Sequence, residues 1–416
     1  MAEKWQPEGC FDYKPEVSLT ESWGGRARRV WGEKLGSLSE VVRRDSFLLE
    51  TEIGMGLPGF QDPAGRVIVH KDGSCLPNLG KLVEINDLSK LPAVAFIAAS
   101  TLNAEQINAV SGLAREMKEN GVQAVIPILT SLAHERQDHK FTDRTTGQKM
   151  NQVTTLKDVI ENLSRYCDGT IWLHPHSLRG VEFGLRLGFP ILPIDGLGLL
   201  LHRSGYQKID NLIELGPDAG RQDSARVAAA FFNCPLLSLQ KNRDKMNMGK
   251  PTIIWPEGSR EWIREKGCTV AITDDEIRDA GTMDAIAEGL KGFAEDVRII
   301  TVKAIMSDEL RPRSMIKGGQ LIQIYPENEW VASSAVQKLN KPWIKEILIT
   351  DAVQPLADLG PIADKIRIIR LHPELEAMTN YLRSNWVPLN ESWLRNPQQT
   401  GTELSLDLSI EALSHG

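Results

Sequence analysis

The chain has 416 residues, with 48 Lys or Arg against 55 Asp or Glu, a formal charge of −7. That length exceeds one ordinary domain core, and the acidic balance argues against a general nucleic-acid surface or an anionic membrane as the main partner. Five cysteines (Cys10, Cys75, Cys167, Cys234 and Cys268) lie far apart without a CxxC pair, so neither a zinc site nor a disulfide framework is expected and a reducing cytoplasm fits best.

The amino-terminal MAEKWQPEGCFDYKPEV lacks the basic-then-apolar pattern of a leader, and no apolar run reaches the roughly 18 residues that span a bilayer. A cytoplasmic protein is expected. Residues 1–65 are rich in Gly, Trp, Arg and Glu without clear periodicity and are read as an extension of unassigned role. From Arg66 the pattern changes: RVIVH reads as a strand, KDGS as a turn and AVAFIAAS as a buried strand. The helix predicted next has Ile107, Val110, Leu113, Ala114 and Met117 on one face and Gly121 as its stop. VQAVIPIL follows as a strand. The alternation recurs in DVIENLSRYC with GTIWLHP, SARVAAAFFN with CPLLSL, and MDAIAEGLKGFA with VRIITVKAI. Strand, helix, strand is the grammar of a parallel sheet, so the expected architecture is α/β, doubly wound. A break at LHRSG (Leu201 to Gly205) suggests two domains, 66–200 and 201–388, followed by a polar tail at 389–416.

The sharpest local signal is TVAITDDEIRDAGTM. An apolar strand, Thr269 to Thr273, runs into Asp274 and Asp275, and a short loop opens a helix at Thr282. Paired carboxylates can accept hydrogen bonds from neighbouring sugar hydroxyls, while the amides of Asp279 to Thr282 at a helix start suit a phosphate. The same residues also satisfy a plainer reading in which the two aspartates cap the helix.

These fifteen residues resemble the ribose-phosphate loop shared by type I phosphoribosyltransferases and phosphoribosyl diphosphate synthetases. From about Val67 to Met378 the order of segments resembles the synthetases. VIPILTSLAHERQDHKF resembles their strand and ARQD loop, which implies ATP contacts for Arg136, Gln137 and Asp138. TIWLHPHS resembles the strand ending in DLH, which makes His174 the match to a catalytic, magnesium-linked histidine, with Trp172 in place of the acid. ELGPDAGRQDSA resembles SPDxGG and offers Asp218 on the magnesium side. PLLSLQKNRDKMNMGK resembles the strand and loop that carry the catalytic cations, here Lys241 and Arg243. KDGS resembles the FSDGE turn that helps hold ATP, with Asp72 retained.

The resemblance implies two parallel-sheet domains of the type I phosphoribosyltransferase-like kind, with ATP on the first and the sugar phosphate on Asp274, Asp275, Arg278, Asp279, Ala280, Gly281 and Thr282 of the second. It implies Mg2+ bridging the phosphates and a homo-oligomer built from dimers, up to a hexamer. The reaction implied is transfer of diphosphate from ATP to ribose 5-phosphate or a related pentose or ketose phosphate. Departures cluster in the phosphate loop, where the family's DTGGT reads Arg278, Asp279, Ala280, Gly281, Thr282. An added carboxylate beside a phosphate is unfavourable unless Arg278 offsets it. A catalytically weak regulatory homologue and a type I phosphoribosyltransferase are therefore the alternatives.

Overall fold

The computed structural model describes residues 29–38, 46–50, 93–102, 104–136, 155–194, 196–217, 222–242, 252–306, 313–317, 320–324, 334–353 and 359–371. These residues divide into two units. The first takes the described residues up to Leu199, with Asp351–Val353 and residues 370–371; the second takes those from Leu200 to Thr350 and from 359 to Ile369.

In the first unit β1 (Ser46–Glu50), β2 (Val94–Ser100), α1 (Ala104–Glu119), β3 (Ala124–Ser131), α2 (Thr155–Tyr166), β4 (Thr170–Leu173), α3 (Arg179–Arg186) and β5 (Ile191–Ile194) follow one another. The strands pair in parallel in the order β1-β2-β3-β4-β5. Every residue of β2 and β3 is buried, which is why both read as apolar runs without alternation. The predicted face of α1 (Ile107, Val110, Leu113, Ala114, Met117) lies in the core with Leu156, Ile160 and Leu163 of α2. A buried side chain of this size contributes about 1.5–3 kcal/mol. Beyond α1 the chain turns at Gly121, whose φ of 95° suits glycine alone. In the same core, a Cβ on Gly180 would fall 2.3 Å from the Trp172 ring, so only glycine lets α3 approach β4 this closely.

Two segments take a place that their sequence does not display. The stretch read as an extension before residue 66 belongs in part to the first unit: SFLLE forms β1, in register with β2 from Ser46↔Val94 to Glu50↔Ala98. Trp31 and Leu35, on a helix over 29–35, are buried as well. Neither segment spans enough residues to display a period in sequence. In the LHRSG segment, Leu201 to Ser204 complete the helix α4 (Gly196–Ser204). The chain turns only at Gly205, with φ 73°, and the boundary between units falls inside α4, after Leu199. The RVIVH strand and KDGS turn lie outside the described residues.

The second unit contains β6 (Leu212–Gly216), α5 (Gln222–Phe232), β7 (Leu236–Ser238), β8 (Gln240–Asn242), β9 (Thr252–Ile254), α6 (Ser259–Lys266), β10 (Thr269–Ile277), α7 (Gly281–Leu290), β11 (Asp296–Ala304), β12 (Arg313–Lys317), β13 (Gln320–Ile324), α8 (Ser334–Leu339), β14 (Ile344–Thr350) and β15 (Ile366–Ile369). Six strands form a parallel sheet in the order β15-β14-β11-β10-β6-β7, while β8 with β9 and β12 with β13 make two antiparallel pairs. The winding reverses between β6 and β10. From β6 the chain proceeds outward to β7, whereas from β10 it proceeds the other way through β11 and β14 to β15. Connections leaving two such neighbours diverge and open a crevice at their carboxyl ends.

The amino end of this sheet is closed by a polar knot. Tyr206 Oη donates to Glu346 Oε2 at 2.5 Å, Arg298 Nη1 lies 3.1 Å from the same oxygen, and Arg367 Nε lies 2.6 Å from Glu346 Oε1. Both guanidinium groups stand over the Tyr206 ring, at 5.1 and 5.8 Å. Burial pushes the Tyr206 hydroxyl far above its usual range, reinforced by the hydrogen bond to Glu346. Burial also opposes the charge on Glu346, yet the hydrogen bonds from Tyr206 and Arg367 outweigh it and hold the carboxyl below its ordinary value. No helix among the described residues is long and apolar enough to cross a membrane.

Candidate active site

β10 does not stop where its apolar run ends. It continues through Asp274, Asp275 and Glu276 to Ile277, pairing with β11 as Asp274↔Thr301, Glu276↔Lys303 and Ile277↔Ala304. The expected loop after Thr273 is thus strand, and α7 opens at Gly281 rather than Thr282. A helix cap must adjoin its helix, so the capping reading of Asp274 and Asp275 fails. They stand at the carboxyl end of β10, on the strand that borders the reversal. Asp274 is half-buried and accepts from the Asp275 amide at 3.0 Å; Asp275 is buried.

The turn between β10 and α7 differs from expectation. Ala280 is the residue preceding α7 and adopts φ 54°, ψ 16°, a left-handed conformation that disfavours any Cβ. Asp279 Oδ1 accepts from the Gly281 amide at 3.2 Å, and Lys338 Nζ donates to the Asp279 carbonyl at 2.6 Å. One of the amides expected to face a phosphate therefore already holds a carboxylate. Arg278, expected to offset Asp279, instead pairs with Glu276. Thr282 is half-buried in the first turn of α7.

The seam between β6 and β10 contains an acid that the sequence reading passed over. Glu214 is fully buried, and its Oε1 accepts from the Thr273 amide at 2.9 Å. Burial pushes its carboxyl well above the usual carboxylate range, against the opposing hydrogen bond from the Thr273 amide. The available signal was a lone acid in the apolar run LIELG.

In the first unit, the turn of His134 to Arg136 meets the LHPHS segment. They follow the adjacent strands β3 and β4, which pair as Ile128↔Ile171 and Leu129↔Trp172. Each strand runs into a histidine at left-handed φ, His134 at 62° and His174 at 45°. Such conformations are costly away from glycine and collect at functional positions. Glu135, 1% exposed, bridges the two turns by accepting from the His176 amide at 3.3 Å. Arg136 is exposed and His174 half-buried. Neither Glu135 nor His134 was singled out in sequence, because each sits between residues already assigned to a motif.

No family model matches the chain. It is 25% identical over 205 residues to the ribose-phosphate pyrophosphokinase of Neisseria meningitidis serogroup A, a match covering 49% of this chain and 50% of that protein. It is 23% identical over 258 residues to the ribose-phosphate pyrophosphokinase of Clostridium tetani, covering 61% of this chain and 66% of that one. In structure it is similar to the phosphoribosylpyrophosphate synthetase of Mycobacterium smegmatis, with a TM-score of 0.58 and 16% identity over 82% of this chain and 100% of the other. The chain is thus similar in sequence to ribose-phosphate pyrophosphokinases and shares its fold with a phosphoribosylpyrophosphate synthetase. The match spans about half the length of the first curated relatives, 50% of each. The fold is the expected one, two parallel α/β sheets of the type I phosphoribosyltransferase-like kind.

The residues assigned by resemblance divide as follows. Asp274, Asp275, Arg278, Asp279, Ala280, Gly281 and Thr282 are contiguous at the end of β10 and the start of α7. Arg136 and His174 follow neighbouring strands of the first unit. Lys241 lies in β8, opposite Ile253. Asp72, Gln137, Asp138, Asp218 and Arg243 lie outside the described residues. Among the described residues no group of three His, Cys, Asp or Glu side chains forms a ready cation cage.

Proposed function

We propose that this protein transfers the diphosphate group of ATP to the anomeric hydroxyl of a sugar phosphate. The observation that carries the reading is the acidic pair at the carboxyl end of β10, beside the strand-order reversal and running directly into α7, in a chain related to ribose-phosphate pyrophosphokinases. In this reaction the anomeric oxygen attacks the β-phosphorus of ATP, the bond from that phosphorus to the α,β-bridging oxygen breaks, AMP departs with the bridging oxygen, and the hydroxyl proton is released. Little covalent chemistry falls to the protein, which contributes positioning and charge stabilisation.

Asp274 and Asp275 would accept hydrogen bonds from the sugar hydroxyls, and the turn of Arg278, Asp279, Ala280, Gly281 and Thr282 would face its phosphate. Lys241 and Arg243 would stabilise charge on the phosphoryl group in flight. Asp72, Arg136, Gln137 and Asp138 would hold ATP. His174 and Asp218 would hold magnesium, whose contribution is to neutralise the phosphates. A homo-oligomer and a cytoplasmic location belong to the same reading.

A second reading, a nucleotide-binding homologue of weak activity, is favoured by one observation: the Asp279 carboxylate sits on the Gly281 amide. Phosphorus NMR of the purified protein with ATP, magnesium and a panel of pentose and ketose phosphates separates the two. AMP together with a diphosphorylated sugar is the expected result. ATP binding without AMP from any sugar selects the weak homologue, and consumption of a diphosphorylated ribose with a base selects a phosphoribosyltransferase.

A further inference from the structure

The carboxyl end of the second sheet carries its acidic pair on a strand segment with a weak attachment on one side. Between β10 and β6 the paired register runs from Thr269↔Leu212 to Ile272↔Leu215 and ends there. β6 turns its last residue to the other neighbour, with Gly216 opposite Ser238 and the Leu239 amide donating to the Gly216 carbonyl at 3.0 Å. The next residue of β10 is Thr273, immediately before Asp274. Its amide is held at 2.9 Å by the side chain of Glu214, which reaches across from β6.

Several features make this contact more than sheet packing. Glu214 and Thr273 are both 0% exposed, and Glu214 is the polar position in the otherwise apolar stretch LIELG. Burying a carboxyl at the centre of a sheet is costly, and a leucine would fill the position without that cost. Glu214 Oε2 and Thr273 Oγ1 each have no hydrogen-bond partner among the described residues, so the acid is not there to complete a satisfied core network. What the group does accomplish is to fix one amide, at the point of reversal where the two strands part company. An uncharged acid suffices for this, since only its Oε1 acceptor is used.

We propose that Glu214 is a positioning residue of the sugar-phosphate site: by clamping the Thr273 amide across the reversal, it fixes where Asp274 and Asp275 stand. The inference rests on the reading of Asp274 and Asp275 as the sugar grip. Gln at this position keeps the acceptor in place, whereas Leu keeps the volume and loses the clamp.

The test is equilibrium calorimetry of the full-length protein and its E214Q and E214L variants, titrated separately with ribose 5-phosphate and with ATP in the presence of magnesium. E214Q is expected to bind both like the wild type. E214L is expected to bind ribose 5-phosphate at least about tenfold more weakly, as small misplacements of binding groups do, with ATP affinity unchanged. If E214L does not fold, E214D decides, since its carboxyl falls one methylene short of the amide and the same split is expected. Unchanged affinity for ribose 5-phosphate in these variants, equal loss for both ligands, or an E214Q as weak as E214L would each overturn the positioning role while leaving the site reading standing. A wild-type protein that binds ATP but no sugar phosphate would instead overturn the site reading and this inference with it.

Discussion

The two ends of the second sheet handle buried charge in opposite ways. At the amino end, Glu346 has a partner on each oxygen, from Tyr206, Arg298 and Arg367, and the net effect favours its charged form. At the carboxyl end, Glu214 meets one backbone amide, has an unpartnered oxygen among the described residues, and is driven toward its neutral form. Satisfied networks rigidify a fold, whereas incompletely satisfied groups are tolerated where some other requirement maintains them. On the proposed reading the amino end is a structural closure, and the carboxyl end, where the winding reverses and the acidic pair stands, is the functional edge.

The largest expected effect falls on the carboxyl side. Lys241, on β8 shortly beyond the carboxyl end of β7, is expected on replacement by Ala to lower turnover by about two to three orders of magnitude with the circular dichroism spectrum unchanged. Near-normal turnover would remove it from the reaction. Asp275→Ala comes next, raising the sugar-phosphate concentration needed for half-maximal rate by about tenfold or more; a rise in the ATP requirement alone would place the pentose elsewhere.

Effects at the amino end should appear in stability alone. Glu346→Gln is expected to cost about 2 kcal/mol at neutral pH by urea denaturation, with kinetic constants unchanged. Its folded carboxyl lies below the ordinary value of 4.5, so the stabilisation is present above that pH and is lost as pH falls below it. Glu214 runs the other way. Its folded carboxyl lies well above 4.5, so between 4.5 and the folded value the native state binds more protons than the unfolded one, and stability declines as pH rises. Glu214→Gln should abolish that decline, worth up to about 1.4 kcal/mol per pH unit. Parallel stability profiles for wild type and variant above pH 4.5 would show that Glu214 stays charged. The smallest effect is expected at Ala280→Gly, where relief of the left-handed strain is largely cancelled by glycine's added unfolded freedom, leaving a gain of about 0.5 kcal/mol in the same denaturation experiment.

The sequence displayed the long repeated signals and concealed the contacts between distant segments. Apolar runs such as AVAFIAAS and the helical face of Ile107 to Met117 could be read directly, because each covers several periods. SFLLE could not, since five residues become a strand only by pairing with β2. The acidic pair was legible as a motif, but its place within β10 was not: whether Asp274 continues a strand depends on Thr301 across the ladder. Glu214 was visible as a charge in an apolar run, yet its contact with Thr273 joins residues 59 positions apart. The partner of Arg278 was misjudged for a related reason. Arg278 and Asp279 are neighbours in sequence, but the guanidinium pairs with Glu276, two residues back on β10.

Hydrogen exchange read by mass spectrometry, with and without ribose 5-phosphate, tests the contrast between the two ends most directly. Added protection is predicted in peptides covering Thr273 to Asp284, with no change in those covering Tyr206, Arg298, Glu346 and Arg367. Protection at the amino end instead, or none in either set at saturating ligand, would contradict the assignment of the sugar-phosphate site to the carboxyl end of this sheet.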